Sequence, residues 1–91
     1  MFVVVTYDVV EDRRRNKVMK TLKGYGRHVQ KSVFECHLDP PRIEAMVRKL
    51  SGLIDPQKDS VRIYVIPPRA LRKVIALGVG EVTREEKVVV V

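Results

Sequence analysis

The chain has one cysteine, Cys36, no tryptophan, and only three tyrosines and two phenylalanines in 91 residues. One cysteine excludes an intrachain disulfide, so no covalent staple supports the fold. A lone thiol, no signal-like N-terminal stretch and no long apolar run point to a cytoplasmic protein without a membrane attachment. Walker, GxGxxG and CxxC patterns are all missing, which removes support for nucleotide, dinucleotide and redox or metal-chaperone chemistry. Cys36 and His37 are neighbours on a strand-like segment, so their side chains face opposite ways and make poor co-ligands. His28 stands alone, and Ser32 has no histidine and acid placed to activate it. So few aromatics also argue against a sheet that reads bases by stacking. The segment Lys31-Ser32-Val33-Phe34-Glu35-Cys36 lacks the glycine and aromatic pattern of an RNA-recognition motif.

Acids are scarce where bases are dense. The chain carries 18 Lys+Arg against 11 Asp+Glu, a net charge of +7. From Asp12 to Lys31 the only acid is Asp12, set against Arg13, Arg14, Arg15, Lys17, Lys20, Lys23, Arg27 and Lys31. Such a balance favours polyanionic partners, nucleic acid first and an anionic membrane surface second. A solvated helix face is the plainer explanation of the run.

The length allows one domain. A chain of this size buries only roughly 60–65% of its unfolded surface, so oligomerisation is the expected extra source of stability.

Phe2–Asp8 is β-branched and nearly continuously apolar, as expected of a central strand, with Val3, Val5 and Tyr7 on one face and Phe2, Val4, Thr6 and Asp8 on the other. Glu11-Asp12-Arg13 opens a helix whose apolar stripe is Val18, Met19, Leu22 and Tyr25, with Gly24 and Gly26 expected to end it in left-handed conformations. Arg27–Leu38 is strand-like, as either one long bent strand or a hairpin turning near Lys31-Ser32. Asp39-Pro40-Pro41 starts a second helix with the stripe Ile43, Met46, Val47, Leu50 and Ile54, closed by Gly52 and Pro56. Ser60–Ile66 is the next strand, stopped by Pro67-Pro68. Val74–Leu77 reads as a short further strand, and Val88–Val91 as a segment that adds to a sheet edge, its own or a partner's.

The order is the α+β ferredoxin-like βαββαβ pattern: an antiparallel sheet with two helices on one face and a short C-terminal strand. The expected organisation is a core over residues 1–67 and a dimer-stabilising tail over 68–91. The helix-free face carries apolar residues, so a second copy packed sheet to sheet in a two-fold homodimer is expected to cover it.

Asp8 is the candidate centre, a carboxylate ending a buried strand just before a basic helix. The structural alternative is that it caps the first helix or pairs with Arg13, Arg14 or Arg15. One carboxylate is a thin site for Mg²⁺, which takes one or two carboxylates and keeps several waters. Two Asp8 side chains meeting near a two-fold axis would share one ion.

Four segments together resemble the CRISPR-associated protein two family, the small endoribonuclease or endonuclease partner of the CRISPR integrase. They are Tyr7-Asp8-Val9 after the apolar strand; Arg13-Arg14-Arg15-Asn16-Lys17-Val18 with Leu22 and Gly26; Val29–Cys36; and Asp59-Ser60-Val61-Arg62-Ile63-Tyr64. The resemblance implies a ferredoxin-like homodimer that joins two dimers of the CRISPR integrase, CRISPR-associated protein one, during spacer acquisition. It further implies a metal-dependent endonuclease acting on single-stranded RNA or double-stranded DNA. Asp8 of each chain would then be the Mg²⁺ ligand (Mn²⁺ as substitute), with Tyr7, Arg15 and Phe34 at activity-linked positions. Arg13, Arg14, Arg15, Lys17, Arg27 and Lys31 would bind nucleic acid, although Lys17 and His28 stand where some members have arginine. Two alternatives stay open: a non-catalytic DNA scaffold between integrase dimers, and a toxin-like RNA interferase of the same fold.

Overall fold

The structure, a computed structural model, describes residues 1–84. Its elements are β1 (Phe2–Asp8), α1 (Asp12–Lys23), β2 (Arg27–Gln30), β3 (Val33–His37), α2 (Pro40–Ser51), β4 (Ser60–Ile66) and the short α3 (Pro68–Leu71). The four strands form one antiparallel sheet in the order β2-β3-β1-β4. The most apolar strand therefore lies inside the sheet, with β3 on one side and β4 on the other.

Strand alternation decides what is buried. Val3, Val5 and Tyr7 of β1, with Phe34 and Cys36 of β3, meet Val18 and Leu22 of α1 and Met46 and Leu50 of α2 in one core. Both long helices thus cover the same face. The β1–β4 register sets Val61 beside Tyr7, Ile63 beside Val5 and Val65 beside Val3. By the same alternation Ser60, Arg62, Tyr64 and Ile66 join Thr6 and Asp8 on the opposite face.

Arg27–Leu38 is a hairpin. Ser32 turns it with a φ of 62°, and a register shift lies between His28 and Gln30. The first helix does not end on left-handed glycines: Gly24 keeps a right-handed φ of −77°, and Gly26 is absent from the positive-φ positions. Closure comes instead from the Tyr25 and Gly26 amides, each donating to the Leu22 carbonyl at 2.9 Å. Gly26 is needed for space, because a Cβ there would sit 2.4 Å from Cys36 Sγ and from the Glu35 carbonyl. Asp39 caps α2, accepting from the Arg42 amide at 3.1 Å. Val47 is 39% exposed, and Ile54 lies beyond the end of α2.

The C-terminal expectations change. Val74–Leu77 is not a strand; α3 turns the chain away from the β4 edge, and Ile75, Leu77 and Val79 stand in solvent. The tail then crosses the face expected to be open. The Thr83 amide and hydroxyl donate to Glu35 Oε1 at 2.9 and 2.7 Å, and His37 Nε2 donates to the Thr83 carbonyl at 2.7 Å. Phe2, on that face, is covered, with the His37 ring 5.2 Å away. The face stays accessible at the Asp8 end, where Tyr64 is 48% exposed. Val88–Val91 lies outside the described residues. No helix among those residues is long and apolar enough to cross a membrane.

Candidate strand-end carboxylate site

Asp8 closes β1 opposite Ser60, the first residue of β4. Its side chain is exposed and has no hydrogen bond or ion pair among the described residues. It lines a shallow cleft of about 360 Å³ with Thr6, Tyr7, Ser60, Arg62 and Tyr64. The structural alternative for Asp8 is not what the fold uses: the N-cap of α1 is Glu11, with no side-chain cap bond, Arg14 and Arg15 pair with other acids, and Arg13 is in none of the ion pairs among the described residues.

Those other acids form a second carboxylate centre behind the cleft. The Asp59 side chain is fully buried. It accepts from Arg14 Nε at 2.8 Å and Arg14 Nη2 at 3.3 Å, from the Val10 amide at 3.0 Å and from the Asp55 amide at 2.8 Å. Hydrogen bonds from Arg14 above all, then from the two amides, hold the Asp59 carboxyl far below the usual carboxylate range. Arg14 also pairs with Glu11, 3.2 Å away. Arg15 donates Nη1 to the Val9 carbonyl at 2.9 Å and Nη2 to Asp12 Oδ1.

The candidate residues therefore separate into four groups. Asp8 lines the cleft and has no partner among the described residues. Tyr7 and Phe34 face the helices, with the Phe34 side chain fully buried, the Tyr7 ring 6.3 Å from it and His28 stacked on it at 4.6 Å. Burial pushes the Tyr7 phenol up, opposed by its hydrogen bond with Ser32. Arg14 and Arg15 are engaged within the chain, whereas Arg13, Lys17, Arg27 and Lys31 are exposed and take part in none of the ion pairs among the described residues. Buried Cys36 is pushed up to about 11, an inert thiol.

Arg62, Tyr64 and Asp59, which the sequence places only in the segment Asp59–Tyr64, were given no site role there. Pairing of β1 with β4 puts Arg62 beside Thr6 and Tyr64 beside Val4, on the face Asp8 shares. The alternation of Ser60–Ile66 was a signal for the first two. Nothing local marks Asp59, whose main partner is 45 residues away.

As a metal site the chain offers half a set. No group of three or more His, Cys, Asp or Glu side chains able to hold a metal occurs among the described residues. One exposed carboxylate beside the hydroxyl-bearing Thr6 and Ser60 fits a hydrated Mg²⁺ only if a second copy brings another carboxylate.

The sheet order and the helices on one face make this a ferredoxin-like domain, here with its unpartnered carboxylate at the end of an inner strand. Within that class the chain belongs to the CRISPR associated protein Cas2 family, which residues 1–74 match. It is 44% identical over 85 residues to the CRISPR-associated endoribonuclease Cas2 3 of Chloroflexus aurantiacus, covering 93% of this chain and 91% of that protein. It is 43% identical over 76 residues to the CRISPR-associated endonuclease Cas2 2 of Thermus thermophilus, covering 84% and 80%. The crystal structure of Streptococcus pyogenes Cas2 at pH 6.5 superposes with a TM-score of 0.75 at 37% identity, covering 86% of this chain and 100% of that one.

Proposed function

We propose that the chain acts in CRISPR adaptation as a homodimer whose two Asp8 carboxylates share one Mg²⁺, with Mn²⁺ as substitute, and that it cleaves phosphodiester bonds in RNA or double-stranded DNA. The observation that carries this is the state of Asp8: an exposed carboxylate with no partner among the described residues, beside a basic helix. When bound, the ion would polarise a phosphodiester and lower the pKa of a bound water.

The chain's own residues supply the rest. Arg13, Lys17, Arg27 and Lys31 neutralise phosphates along the strand. Arg62, on the Asp8 face, gives a fixed positive charge for a phosphate that enters the cleft. Tyr7 and Phe34 hold β1 from the core side and act through the strand. The nuclease names of the relatives support the activity, and the split between endoribonuclease and endonuclease leaves both substrates to be offered.

A second reading has its own observation. Among the described residues the cleft holds no acid besides Asp8 and no histidine, so they supply no separate general base. Without one, the dimer would serve as a basic bridge for DNA between CRISPR integrase dimers. The test is cleavage of single-stranded RNA and duplex DNA by pure protein with Mg²⁺ and with chelator, for wild type and Asp8→Asn. Loss of Mg²⁺-dependent cutting in an intact Asp8→Asn dimer supports the nuclease. No cutting by wild type, with integration still supported by the variant, supports the scaffold.

A further inference from the structure

The Val9–Val10 peptide unit, one residue beyond Asp8, has both polar groups held by side chains. The Val9 carbonyl accepts from Arg15 Nη1 at 2.9 Å, and the Val10 amide donates to Asp59 Oδ1 at 3.0 Å. A peptide is planar, so holding both ends fixes its orientation. The two grips come from different elements: Arg15 from the first turn of α1, Asp59 from the residue before β4. Asp59 is itself fixed by Arg14 and by the Asp55 amide. Before this peptide, Asp8 pairs with Ser60 of β4; on the β3 side the register ends at Thr6, and the last bond is the Tyr7 amide donating to the Ser32 carbonyl at 3.1 Å.

A metal ligand is usually aimed by hydrogen bonds to its own side chain. Asp8 has none among the described residues, which leaves the backbone, through the Cα–Cβ direction and the rotamers it allows, as the means of aiming the carboxylate. We propose that Asp59 is the positioning residue for Asp8: through the Val10 amide it fixes the loop that sets the carboxylate's direction. The proposal rests on the reading of Asp8 as a metal ligand. It gives the buried acid a role in the chemistry as well as in the fold.

The experiment uses the full-length dimer below its melting temperature, with Mn²⁺ as the probe. Two quantities are read: the Mn²⁺ dissociation constant, and the Asp8 Hα–Hβ couplings in the metal-free protein, which report whether the side chain holds one rotamer. Asp59→Ala is expected to weaken Mn²⁺ binding by roughly 10- to 100-fold, the usual effect of losing a group that orients a ligand, and to average the couplings. Arg14→Gln breaks the ion pair but leaves the Asp59 oxygen for Val10. It is expected to lower stability while leaving both readouts near wild type. Asp59→Asn keeps an acceptor oxygen for the Val10 amide and is expected to do the same; it decides the matter if Asp59→Ala does not fold.

Unchanged couplings and affinity in Asp59→Ala would overturn the proposal. So would Arg14→Gln or Asp59→Asn losing as much affinity as Asp59→Ala, since general loosening would then explain the effect. Should Asp8→Asn leave Mn²⁺ binding intact, the metal reading itself falls. The couplings alone then decide whether Asp59 orders Asp8.

Discussion

Asp8 and Asp59 lie at the same end of the β1–β4 pair and have opposite surroundings. The Asp59 side chain is buried and takes four hydrogen bonds from Arg14 and two amides, whereas Asp8 is exposed and takes none among the described residues. The basic residues divide the same way. Arg14 and Arg15 are engaged with the chain, while Arg13 and Lys17, on the same helix, are exposed. A buried charge must be paired and hydrogen-bonded to be tolerated, so the Arg14–Asp59 pair belongs to folding. What is left over on the surface is available to a ligand. In a protein this basic, engagement is therefore a better guide to function than charge.

The largest effect expected from this contrast is on activity. Asp8→Asn should bring Mg²⁺-dependent cleavage down to background while changing stability by no more than about 0.5 kcal/mol, as surface substitutions do. Paired cleavage assays and chemical denaturation check both halves. A large stability loss would place Asp8 with Asp59 among the structural acids.

The core beneath the site should respond in stability. Phe34→Ala removes a fully buried ring stacked on His28 and is expected to cost about 3–5 kcal/mol. Urea denaturation measures it, and a cost near zero would mean that Phe34 is not a packing residue.

The pH dependence of stability isolates Asp59. A carboxyl whose folded-state pKa is lowered contributes stability that is full above its unfolded value, near 3.8, and is lost as pH falls through the folded value. Wild type should therefore lose its stability advantage over Asp59→Asn as pH falls below about 4, near the unfolded pKa. Thermal melts of both proteins from neutral to acid pH test this. Parallel curves would remove the Arg14–Asp59 pair from the account of stability.

A smaller change is expected at a third acid of the engaged kind. Asp39 accepts the Arg42 amide at the start of α2, and Asp39→Ala should cost about 1 kcal/mol. The smallest expected effect is on the salt dependence of DNA binding. Arg13→Ala or Lys17→Ala should each reduce the slope of log affinity against log salt by about 1, the share of one phosphate contact. Arg14→Gln should leave the slope unchanged. Equal effects from all three would erase the distinction between engaged and exposed bases.

The fold was legible where pattern is local. Period-2 alternation gave Phe2–Asp8 and Ser60–Ile66, helical spacing gave the stripes of Val18 with Leu22 and Met46 with Leu50, and Asp39-Pro40-Pro41 marked a cap. Less visible were features set by distant contacts. Gly26 looked like a left-handed helix stop, yet its reason is the Cys36 strand passing against it. Val74–Leu77 has strand-forming residues, but a strand needs a partner edge, and α3 carries the segment away from β4. Asp8 could be named from its place at a strand end. The Arg14–Asp59 pairing could not, because it depends on how α1 and the loop before β4 meet. As a result Arg14 stood with the nucleic-acid-binding residues, and Asp59 stood only in the segment Asp59–Tyr64, with no role of its own.

The central claim is that Asp8 is a ligand completed by a second copy of the chain. Mn²⁺ titration of the purified dimer, followed by calorimetry with the oligomeric state monitored by sedimentation, tests it most directly. The expected result is one ion per two chains in wild type and none in an Asp8→Asn dimer. One ion per chain, or binding unaffected by Asp8→Asn, would contradict it.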